Sequence, residues 1–260
     1  MILDELAAHA RERVAAAKTR VPLEAVKAQA EAMPRGDFCF EKALAGKTTA
    51  FICEIKKASP SKGVIDPQFD YFGIAEQYEE AGADCISVLT EPKWFLGSDE
   101  IFRAVRLTVD VPLLRKDFTV DAYQLYQAKV MGADAVLLIC ALLDTGTLAD
   151  WLAVCDRLGL SALVETHDEA EMQSAVAAGA RLIGVNNRNL KDFSVDLGNA
   201  ARLRAGAPAG TIFVAESGVS CPEDAAKLRQ AGADAILVGE YLMRSLDKQS
   251  ALQALREAAK

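Results

Sequence analysis

The sequence is poor in the residues that metal-dependent and serine-type enzymes use. It contains two histidines, His9 and His167, and its six cysteines form no C-x-x-C pair. A histidine-ligated metal or a Ser-His-Asp triad is therefore poorly supported, and the cysteines are typical of reduced packing residues. We expect neither a metal site nor a disulfide framework. His167 follows an apolar run, and we expect it in a loop or a first helical turn rather than in a catalytic role.

Long apolar runs and excess positive charge are also missing. No run approaches the roughly 20 apolar residues of a membrane span, and residues 1–20 lack the apolar centre of a signal peptide. The net charge is −8, so binding to nucleic acid is not expected. These absences predict a protein that engages neither membranes nor nucleic acid, and the reduced cysteines predict a cytoplasmic location. We expect a monomer or a weak homo-oligomer.

The composition that remains fits a globular α/β enzyme. The chain has 260 residues, of which 51% are apolar and 25% charged, a size typical of one α/β barrel. It shows no linker and no shift in composition, so we expect a single domain, with a helical extension over residues 1–47 and a barrel over 51–260. Helical patterns cover 2–18 and 22–33, where Pro22 is well placed to open the second helix. With a short segment at 38–44, they are expected to pack across one end of the domain.

From residue 51 onward, strand-like and helical patterns alternate. Eight short apolar runs predict strands at 51–55, 85–89, 111–115, 135–140, 161–165, 181–186, 211–215 and 235–239. Helical patterns fall between and after them, at 72–81, 98–107, 121–131, 145–158, 168–178, 197–205, 222–231 and 241–258. Such alternation is typical of β-α-β units and a parallel sheet.

An internal repeat indicates how the sheet closes. Four segments of the form x-Gly-Ala-Asp or x-Gly-Ala-Arg precede strands, with glycines at Gly82, Gly132, Gly179 and Gly232. Each glycine is expected to end a helix in a left-handed cap. The glycines are about 50 residues apart, or about two β-α units, so four quarters predict a (β/α)8 barrel. An open doubly wound sheet is the alternative, but the chain lacks its G-x-G-x-x-G fingerprint.

Polar residues follow the apolar runs where a barrel would carry its active site, at the carboxyl ends of the strands. In the first run, Glu54 and Lys56 alternate with apolar residues, so both charges should face the same side. A polar loop able to bind an anion follows at 59–63. The other strand ends offer Lys116, Glu165, Asn186, Arg188, Glu216, Ser217, Gly218, Gly239 and Glu240. We predict that these residues form one active site.

The last two strand ends predict a phosphate site and hence a phosphorylated small-molecule substrate. Ser217-Gly218 and Gly239 lie where such barrels often bind phosphate through backbone N–H groups. Further donors could come from the side chains of Lys56, Ser59 and Arg188. The Glu240 carboxylate would have to point away from the anion, leaving its backbone N–H to bind.

The chemistry of the site has two readings at this point. A lysine acting as general acid beside a glutamate suits proton transfer at a carbonyl group. A buried lysine could instead form a Schiff base. The spacing of the residues does not choose between them.

Five segments resemble the indole-3-glycerol-phosphate synthase family of the tryptophan pathway, and the likeness extends over essentially the whole chain. The first two segments are highly specific together. The segments are EIKKASPSKG at 54–63, LLRKDF at 113–118, VETH at 164–167, GVNNRNL at 184–190 and AESG at 215–218.

The resemblance implies a reaction that needs no cofactor. This family closes the ring of 1-(2-carboxyphenylamino)-1-deoxyribulose 5-phosphate with loss of CO₂ and water. By likeness, Lys116 is the general acid at the ribulose carbonyl, and Glu165 assists proton transfer during dehydration. Lys56 binds the carboxylate or phosphate region and could share in dehydration. A partner enzyme of the same pathway is possible.

The resemblance also implies roles for the residues around these three. Glu54 and Asn186 would orient Lys116 and the sugar hydroxyls, with similar work for Glu216. The phosphate would be held by Arg188, Ser217, Gly218 and Gly239. Phe95 and Phe118, and less clearly Trp94, would line an apolar slot for the anthranilate ring, although Trp94 could instead cover the barrel rim. The loop at 59–61 is expected to be a mobile lid.

Two rival functions remain open. One is another phosphate-binding barrel enzyme, such as a phosphoribosyl-anthranilate or histidine-pathway isomerase, and the pair Lys56 and Lys116 argues against it. The other is a non-catalytic relative that keeps the phosphate pocket. The presence of both Lys116 and Glu165 argues against the second. The residues Glu240 and Tyr241 replace the small residues often found after the last strand in the family, which puts a side-chain hydroxyl contact to phosphate in doubt.

Overall fold

Parallel strands close into a barrel, as the sequence predicts. This computed structural model describes residues 2–189 and 192–260, and within them eight parallel strands form a closed ring. A small antiparallel hairpin, β2 with β3, follows the first barrel strand. The strands are β1 (Ala50–Ile55), β2 (Ala58–Ser59), β3 (Gly63–Val64), β4 (Cys85–Leu89), β5 (Leu113–Lys116), β6 (Ala135–Ile139), β7 (Ser161–Thr166), β8 (Leu182–Asn186), β9 (Ile212–Glu216) and β10 (Ala235–Val238). The predicted (β/α)8 architecture is confirmed.

Helices cover the outside of the ring and both of its ends. They are α1 (Ile2–Arg20), α2 (Leu23–Ala32), α3 (Cys39–Leu44), α4 (Tyr71–Glu80), α5 (Asp99–Thr108), α6 (Tyr123–Val130), α7 (Thr145–Leu158), α8 (Glu169–Ala177), α9 (Gly198–Arg204), α10 (Pro222–Gln230), α11 (Glu240–Arg244) and α12 (Lys248–Ala258), with a 3-10 turn at Cys140–Leu142. Several begin where a side chain accepts an amide hydrogen of the first turn, which satisfies a donor that the helix itself leaves free. These caps are Asp70, Ser98, Asp144, Asp168 and Asp247. Pro22 lies immediately before α2.

The repeated Gly-Ala-Asp segments join helices to strands. Their glycines have φ values between +81° and +88°, the left-handed conformation expected of the caps. The aspartates of three repeats accept backbone N–H groups of neighbouring strands: Asp84 from Phe51 at 2.7 Å, Asp134 from Leu113 at 2.9 Å and Asp234 from Phe213 at 2.8 Å. The repeat therefore ties each helix end to the amino end of a barrel strand.

The strands of the barrel are buried on both faces, as expected of a parallel sheet covered by helices. Outward side chains such as Phe51 and Phe213 pack under the helices, while inward side chains such as Ile52 and Leu163 fill the barrel. Because successive side chains alternate, the next inward positions of these strands lie one layer nearer the carboxyl ends.

The helices of the amino-terminal extension reach both ends of the barrel, so the expectation that they cover one end is wrong. Helix α1 lies over the carboxyl ends, where Arg13 forms two bonds of 3.0 and 2.7 Å with Asp117. Helix α3 lies at the opposite end, where Phe40 packs against the first residues of the strands, including Ala50 and Cys85. The chain between them is long enough to run down the side, where α2 packs on α6.

Membrane-spanning helices are not found in the part of the chain described. None of its helices is both long enough and apolar enough to cross a bilayer.

Candidate active site

The carboxyl ends of the strands surround a cavity of about 810 Å³. Residues singled out from the sequence line it: Glu54, Lys56, Ser59, Phe95, Lys116, Phe118, Glu165, Asn186, Arg188, Ser217, Gly218, Gly239 and Glu240. Glu216 lies beneath this lining, with 2% of its surface exposed, and reaches the cavity through Lys116. Strands that are far apart in the sequence thus bring their terminal polar residues to one place. Leu190, the last residue of one quoted motif, lies outside the described residues.

Strand alternation explains why the charged residues face inward. On β5, Leu114 fills the barrel, so Lys116 two residues later also faces inward. The same step leads from Leu163 to Glu165 on β7. Lys116 and Glu165 therefore belong to a polar layer of inward side chains that lies directly on an apolar layer.

Lys116 is surrounded by carboxylates. Its Nζ atom lies 3.4 Å from Glu216 Oε2 and 3.7 Å from Glu165 Oε2. Burial favours the neutral amine, but Glu216, Glu165 and Glu54 outweigh that effect and raise the pKa of Lys116 above its ordinary value. Lys116 is therefore an ammonium group on a side chain that is 15% exposed, and the charged ammonium is the form that a general acid needs.

The two carboxylates beside Lys116 differ in their surroundings. Burial raises the pKa of Glu165, but Lys116 and His167 more than offset this and lower it to about 2. Burial, supported by repulsion from Glu165 and Glu54, raises the pKa of Glu216 to about 7. Their surroundings thus give two neighbouring carboxyl groups different pKa values, and Glu165 is the stronger acid.

Lys56 and Glu54 form a second ion pair on β1 and just beyond it. Lys56 Nζ donates to Glu54 Oε1 at 2.6 Å, and Ser87 lies 3.5 Å from the other oxygen. Gly239 packs against this pair, because a Cβ atom at that position would lie 2.7 Å from Glu54 Oε1. A glycine at the end of β10 therefore leaves room for both charges at the rim.

His167 contributes more than the sequence indicates. It lies in the loop after β7, as expected, but its ring reaches back so that Nε2 is 3.2 Å from Glu165 Oε1. The other ring nitrogen is 2.9 Å from Glu171. The sequence signal for this is weak, namely a histidine two residues after an inward glutamate.

Backbone conformation shapes the far side of the cavity, where a phosphate was predicted. Ser217 and Gly218 have φ values of +66° and +97°, so two consecutive residues adopt the left-handed region. A Cβ atom on Gly218 would lie 2.6 Å from Val195. Such a conformation is costly for a serine and is found most often at functional sites.

Charged side chains on this side are partly paired. Arg188 donates from Nη1 to the carbonyl oxygen of Phe193 at 2.9 Å. The carboxylate of Glu240 accepts from Arg244 at 3.0 Å and lies 3.5 Å from Lys62 Nζ. The Glu240 carboxylate is therefore paired with cations of the protein.

Apolar and aromatic side chains line the opposite wall. The Phe95 and Phe118 rings lie 6.1 Å apart, centroid to centroid. Trp94 is not among the lining residues, and its ring instead packs on His9 of α1 at 5.5 Å. It therefore covers the rim, which is the alternative reading of this residue.

Three residues outside the barrel strands help to form the cavity, and no sequence pattern predicts them. Ile2 and Leu6 of α1 line the cavity from above. Glu91, fully buried, accepts the backbone N–H groups of Trp94 at 2.7 Å and Phe95 at 3.0 Å and so shapes the aromatic loop. Through-space contacts between distant segments carry no local pattern.

No cluster of three or more His, Cys, Asp or Glu side chains suited to a metal ion occurs within residues 2–189 and 192–260.

Comparison with known proteins adds independent information. A family model described as "Indole-3-glycerol phosphate synthase" matches residues 3–255. A protein of that name from Ruminiclostridium cellulolyticum is 54% identical over 260 residues, covering 100% of both chains. Another from Lachnoclostridium phytofermentans is 46% identical, covering 98% of this chain and 99% of its own. The crystal structure of 3-hexulose-6-phosphate synthase shares the fold with a TM-score of 0.63 at 18% identity, over 81% of this chain and 99% of that one.

Proposed function

The chain belongs to the indole-3-glycerol phosphate synthase family, and we propose that it closes the indole ring of 1-(2-carboxyphenylamino)-1-deoxyribulose 5-phosphate, releasing CO₂ and water. The activity is that of a carboxy-lyase in tryptophan biosynthesis. The observation that carries the proposal is the position of Lys116, an ammonium group 3.4 Å from Glu216 and 3.7 Å from Glu165 at the mouth of the barrel.

Ring closure is the first step. The aromatic carbon that bears the carboxylate attacks the carbonyl carbon, C2, of the ribulose chain, and a carbon–carbon bond forms. The carbonyl oxygen takes a proton from the Lys116 ammonium. Because its side chain is 15% exposed and lies beside two buried carboxylates, it presents a preorganised charge to the developing alkoxide.

Decarboxylation follows, and the electrons of the broken carbon–carbon bond return to the ring and restore its aromaticity. Lys56 is positioned to bind the substrate carboxylate before this step, with Glu54 fixing its ammonium group at 2.6 Å. A cation near the carboxylate orients it but does not favour its loss, so the attraction must be modest. The pairing of Lys56 with Glu54 provides that moderation.

Dehydration completes the indole. The hydroxyl on the former carbonyl carbon takes a proton and leaves as water, and a proton is removed from C1 of the ribulose chain to form the new double bond. Lys116 regains a proton from solvent after ring closure and delivers it to the hydroxyl. Glu165 is ionised and lies beside Lys116, so it can receive the C1 proton and return it to the lysine. Over all steps the substrate carboxylate form takes up one proton.

Substrate binding divides between the two walls of the cavity. The phosphate is assigned to the backbone at Ser217, Gly218 and Gly239 and to the side chain of Arg188, with Ser59 and the Glu240 backbone nearby. The anthranilate ring is assigned to the slot between Phe95 and Phe118. Asn186 and Glu216 would position the sugar hydroxyls relative to Lys116.

The remaining properties are proposed on general grounds. The six cysteines are unpaired, which is usual in a reducing compartment and supports a cytoplasmic location. A monomer or weak homo-oligomer is proposed, with room for a partner enzyme of the pathway.

A fluorescence assay tests the function. The purified chain, treated with a chelator and given the carboxyphenylamino-deoxyribulose phosphate, is expected to produce indole fluorescence with release of CO₂. Lys116→Met is expected to reduce kcat by about 10²–10⁴-fold, the usual contribution of a general acid, while circular dichroism stays that of the native barrel. No indole product from the unaltered chain, or near-native turnover by Lys116→Met, would contradict the proposal.

A further inference from the structure

The His167 side chain lies between two carboxylates, one inside the candidate active site and one outside it. Nε2 is 3.2 Å from Glu165 Oε1, and Nδ1 is 2.9 Å from Glu171 Oε2. The same Glu171 oxygen accepts the backbone N–H of His167 at 2.8 Å. The ring is thus held in place from the helix α8 side and directed at Glu165.

The chemistry of these neighbours determines the charge of the ring. An ionised carboxylate only accepts hydrogen bonds, so a nitrogen that faces one must carry a hydrogen. Nδ1 is within hydrogen-bond reach of Glu171, and Nε2, although not in hydrogen-bond geometry, lies at ion-pair distance from Glu165, so both neighbours favour an imidazolium ion. Burial would lower the pKa of His167, but the contacts with Glu165 and Glu171 raise it to about 10.

Glu165 is thereby placed between two cations. Its Oε1 faces His167, and its Oε2 faces Lys116 at 3.7 Å. With a cation on each oxygen, the carboxylate is held in one orientation and in its ionised form. Asn186 adds a hydrogen bond to the same carboxyl group.

We propose that His167 is a positioning residue that, as an imidazolium braced by Glu171, keeps Glu165 ionised and aimed at the reacting carbon atoms. The inference rests on the proposed function, because it takes Glu165 as the group that moves a proton during dehydration. His167 itself acts through Glu165.

Other groups around the ring complete its environment. Asn199 Nδ2 donates to the carbonyl oxygen of His167 at 3.1 Å and lies 3.3 Å from that of Asn186, so it links the loop to β8. Besides Glu165, Glu171 and, beyond Glu165, Lys116, the charged groups that share the space around the ring are Asp168, Arg188, Asp196 and Arg202. They include two acidic and two basic side chains, whose effects on the ring oppose each other. The carboxylates of Glu165 and Glu171, which contact the ring, therefore have the largest effect on its charge.

Nuclear magnetic resonance of the unaltered protein tests the charge without reference to activity. With only two histidines in the chain, ¹⁵N-histidine labelling gives two pairs of ring-nitrogen signals, and the pair missing from His167→Gln belongs to His167. We expect both nitrogens of His167 to remain protonated at pH 8.5. A His167 ring that titrates near pH 6.5, the ordinary value, would overturn the proposal.

Kinetics test the positioning role. In His167→Gln one cation is lost, so the pKa of Glu165 rises and the carboxylate is protonated at a higher pH. At pH 7.5 Glu165 stays ionised in both proteins, and we expect kcat to fall about tenfold there because the carboxylate has lost a group that orients it, while KM stays within about twofold. At the acidic end, the limb of the kcat profile should move up by about one pH unit or more. Glu171→Gln should shift the limb in the same direction by a smaller amount. Glu169→Gln, an exposed charge change on the same helix end, should leave the profile in place.

The outcomes separate this inference from the proposed function. If the unaltered chain makes indole product but His167→Gln keeps the acid limb of the unaltered chain, the positioning role is refuted and the function stands. A loss in His167→Gln that is equal at every pH would indicate a purely structural role and would also refute it. If the unaltered chain makes no product, the proposed function fails, and the resonance experiment still decides the charge of His167.

Discussion

Glu216 Oε2 lies 3.4 Å from Lys116 Nζ, while its Oε1 fits into the space left by the missing side chain of Gly184. A Cβ atom on Gly184 would lie 2.0 Å from this oxygen. Within the described residues Oε1 has no hydrogen-bond partner, so the carboxyl group is held by shape on one side and by charge on the other. The depth at which Glu216 sits under Lys116 thus depends on a glycine one strand away.

Gly184→Ala is therefore expected to displace Glu216. The added methyl group cannot share space with Oε1, so the glutamate must move toward Lys116 or the strand must shift, at a cost of about 1–3 kcal/mol in unfolding free energy. We expect kcat to fall more than tenfold, measured by indole fluorescence, with the stability loss measured in urea.

The matched control is Gly146→Ala. Gly146 is exposed in the first turn of α7, and a Cβ atom there would meet the flexible Asp144 side chain at 3.2 Å. Its activity should be unchanged. Equal kcat values for the two variants would show that Glu216 does not depend on Gly184.

Lys56→Met is expected to weaken substrate binding and to leave the buried Glu54 carboxylate without its nearest cation. The variant removes the cation that lowers the pKa of Glu54 against the effect of burial, so that carboxyl group becomes a weaker acid. A hydrogen bond to a charged group contributes roughly 1.5–3 kcal/mol, so kcat/KM should fall about 10- to 100-fold. Lys57→Met, at the neighbouring outward position, should retain kcat/KM within about twofold. A fall of the same size in both variants would contradict the role of Lys56.

Arg13→Met is expected to loosen α1 from the barrel. Arg13 forms two bonds with Asp117, whose side chain is 2% exposed. Its removal leaves this buried carboxylate with Thr90, the backbone N–H of Phe118 and the more distant Arg115. Breaking one side of such a pair costs roughly 3 kcal/mol. Because α1 carries Ile2 and Leu6 into the cavity, KM should rise as well.

Lys18→Met on the same helix is the control for this variant. Lys18 pairs with Asp121 at 2.6 Å, but both side chains are about one-third exposed. Such pairs contribute roughly 0.2–1 kcal/mol. Thermal melts of the two variants should therefore differ clearly, and a similar small loss in both would show that the Arg13 contact does not fasten α1.

The raised pKa of His167 predicts how stability varies with pH. The group titrates near 6.5 in the unfolded chain and near 10 in the folded one, so the folded state binds the proton more tightly. Its contribution to stability is fully present below about pH 6.5 and is lost as the pH rises to about 10. The difference in melting temperature between the unaltered chain and His167→Gln should be largest at pH 6 and shrink toward pH 10. A difference that does not change with pH would contradict the raised pKa.

Sequence patterns sufficed for the architecture because the barrel is built from repeated local rules. Apolar runs of four to six residues, glycine caps such as Gly82 and Gly132, and helix caps such as Asp144 each act within a few residues of the chain. Alternation along β1 also sufficed to place Glu54 and Lys56 on the same side, where they form an ion pair at 2.6 Å.

The departures from expectation come from contacts across the fold. The pairing of Arg13 with Asp117 spans 104 residues and carries α1 over the mouth, while α3 closes the other end. Trp94 packs on His9 rather than lining the cavity. None of these pairs has a periodic signal, because each depends on where two separate elements meet.

Sequence by itself therefore determined the barrel, the family and the set of polar residues at the strand ends. Tertiary structure decided which of those residues meet, which carboxylate lies against which cation, and how His167 joins them. The physical reason is distance. Secondary structure and the inward direction of a side chain follow from neighbours along the chain, whereas the charge of a buried group depends on what lies within a few ångströms of it in space.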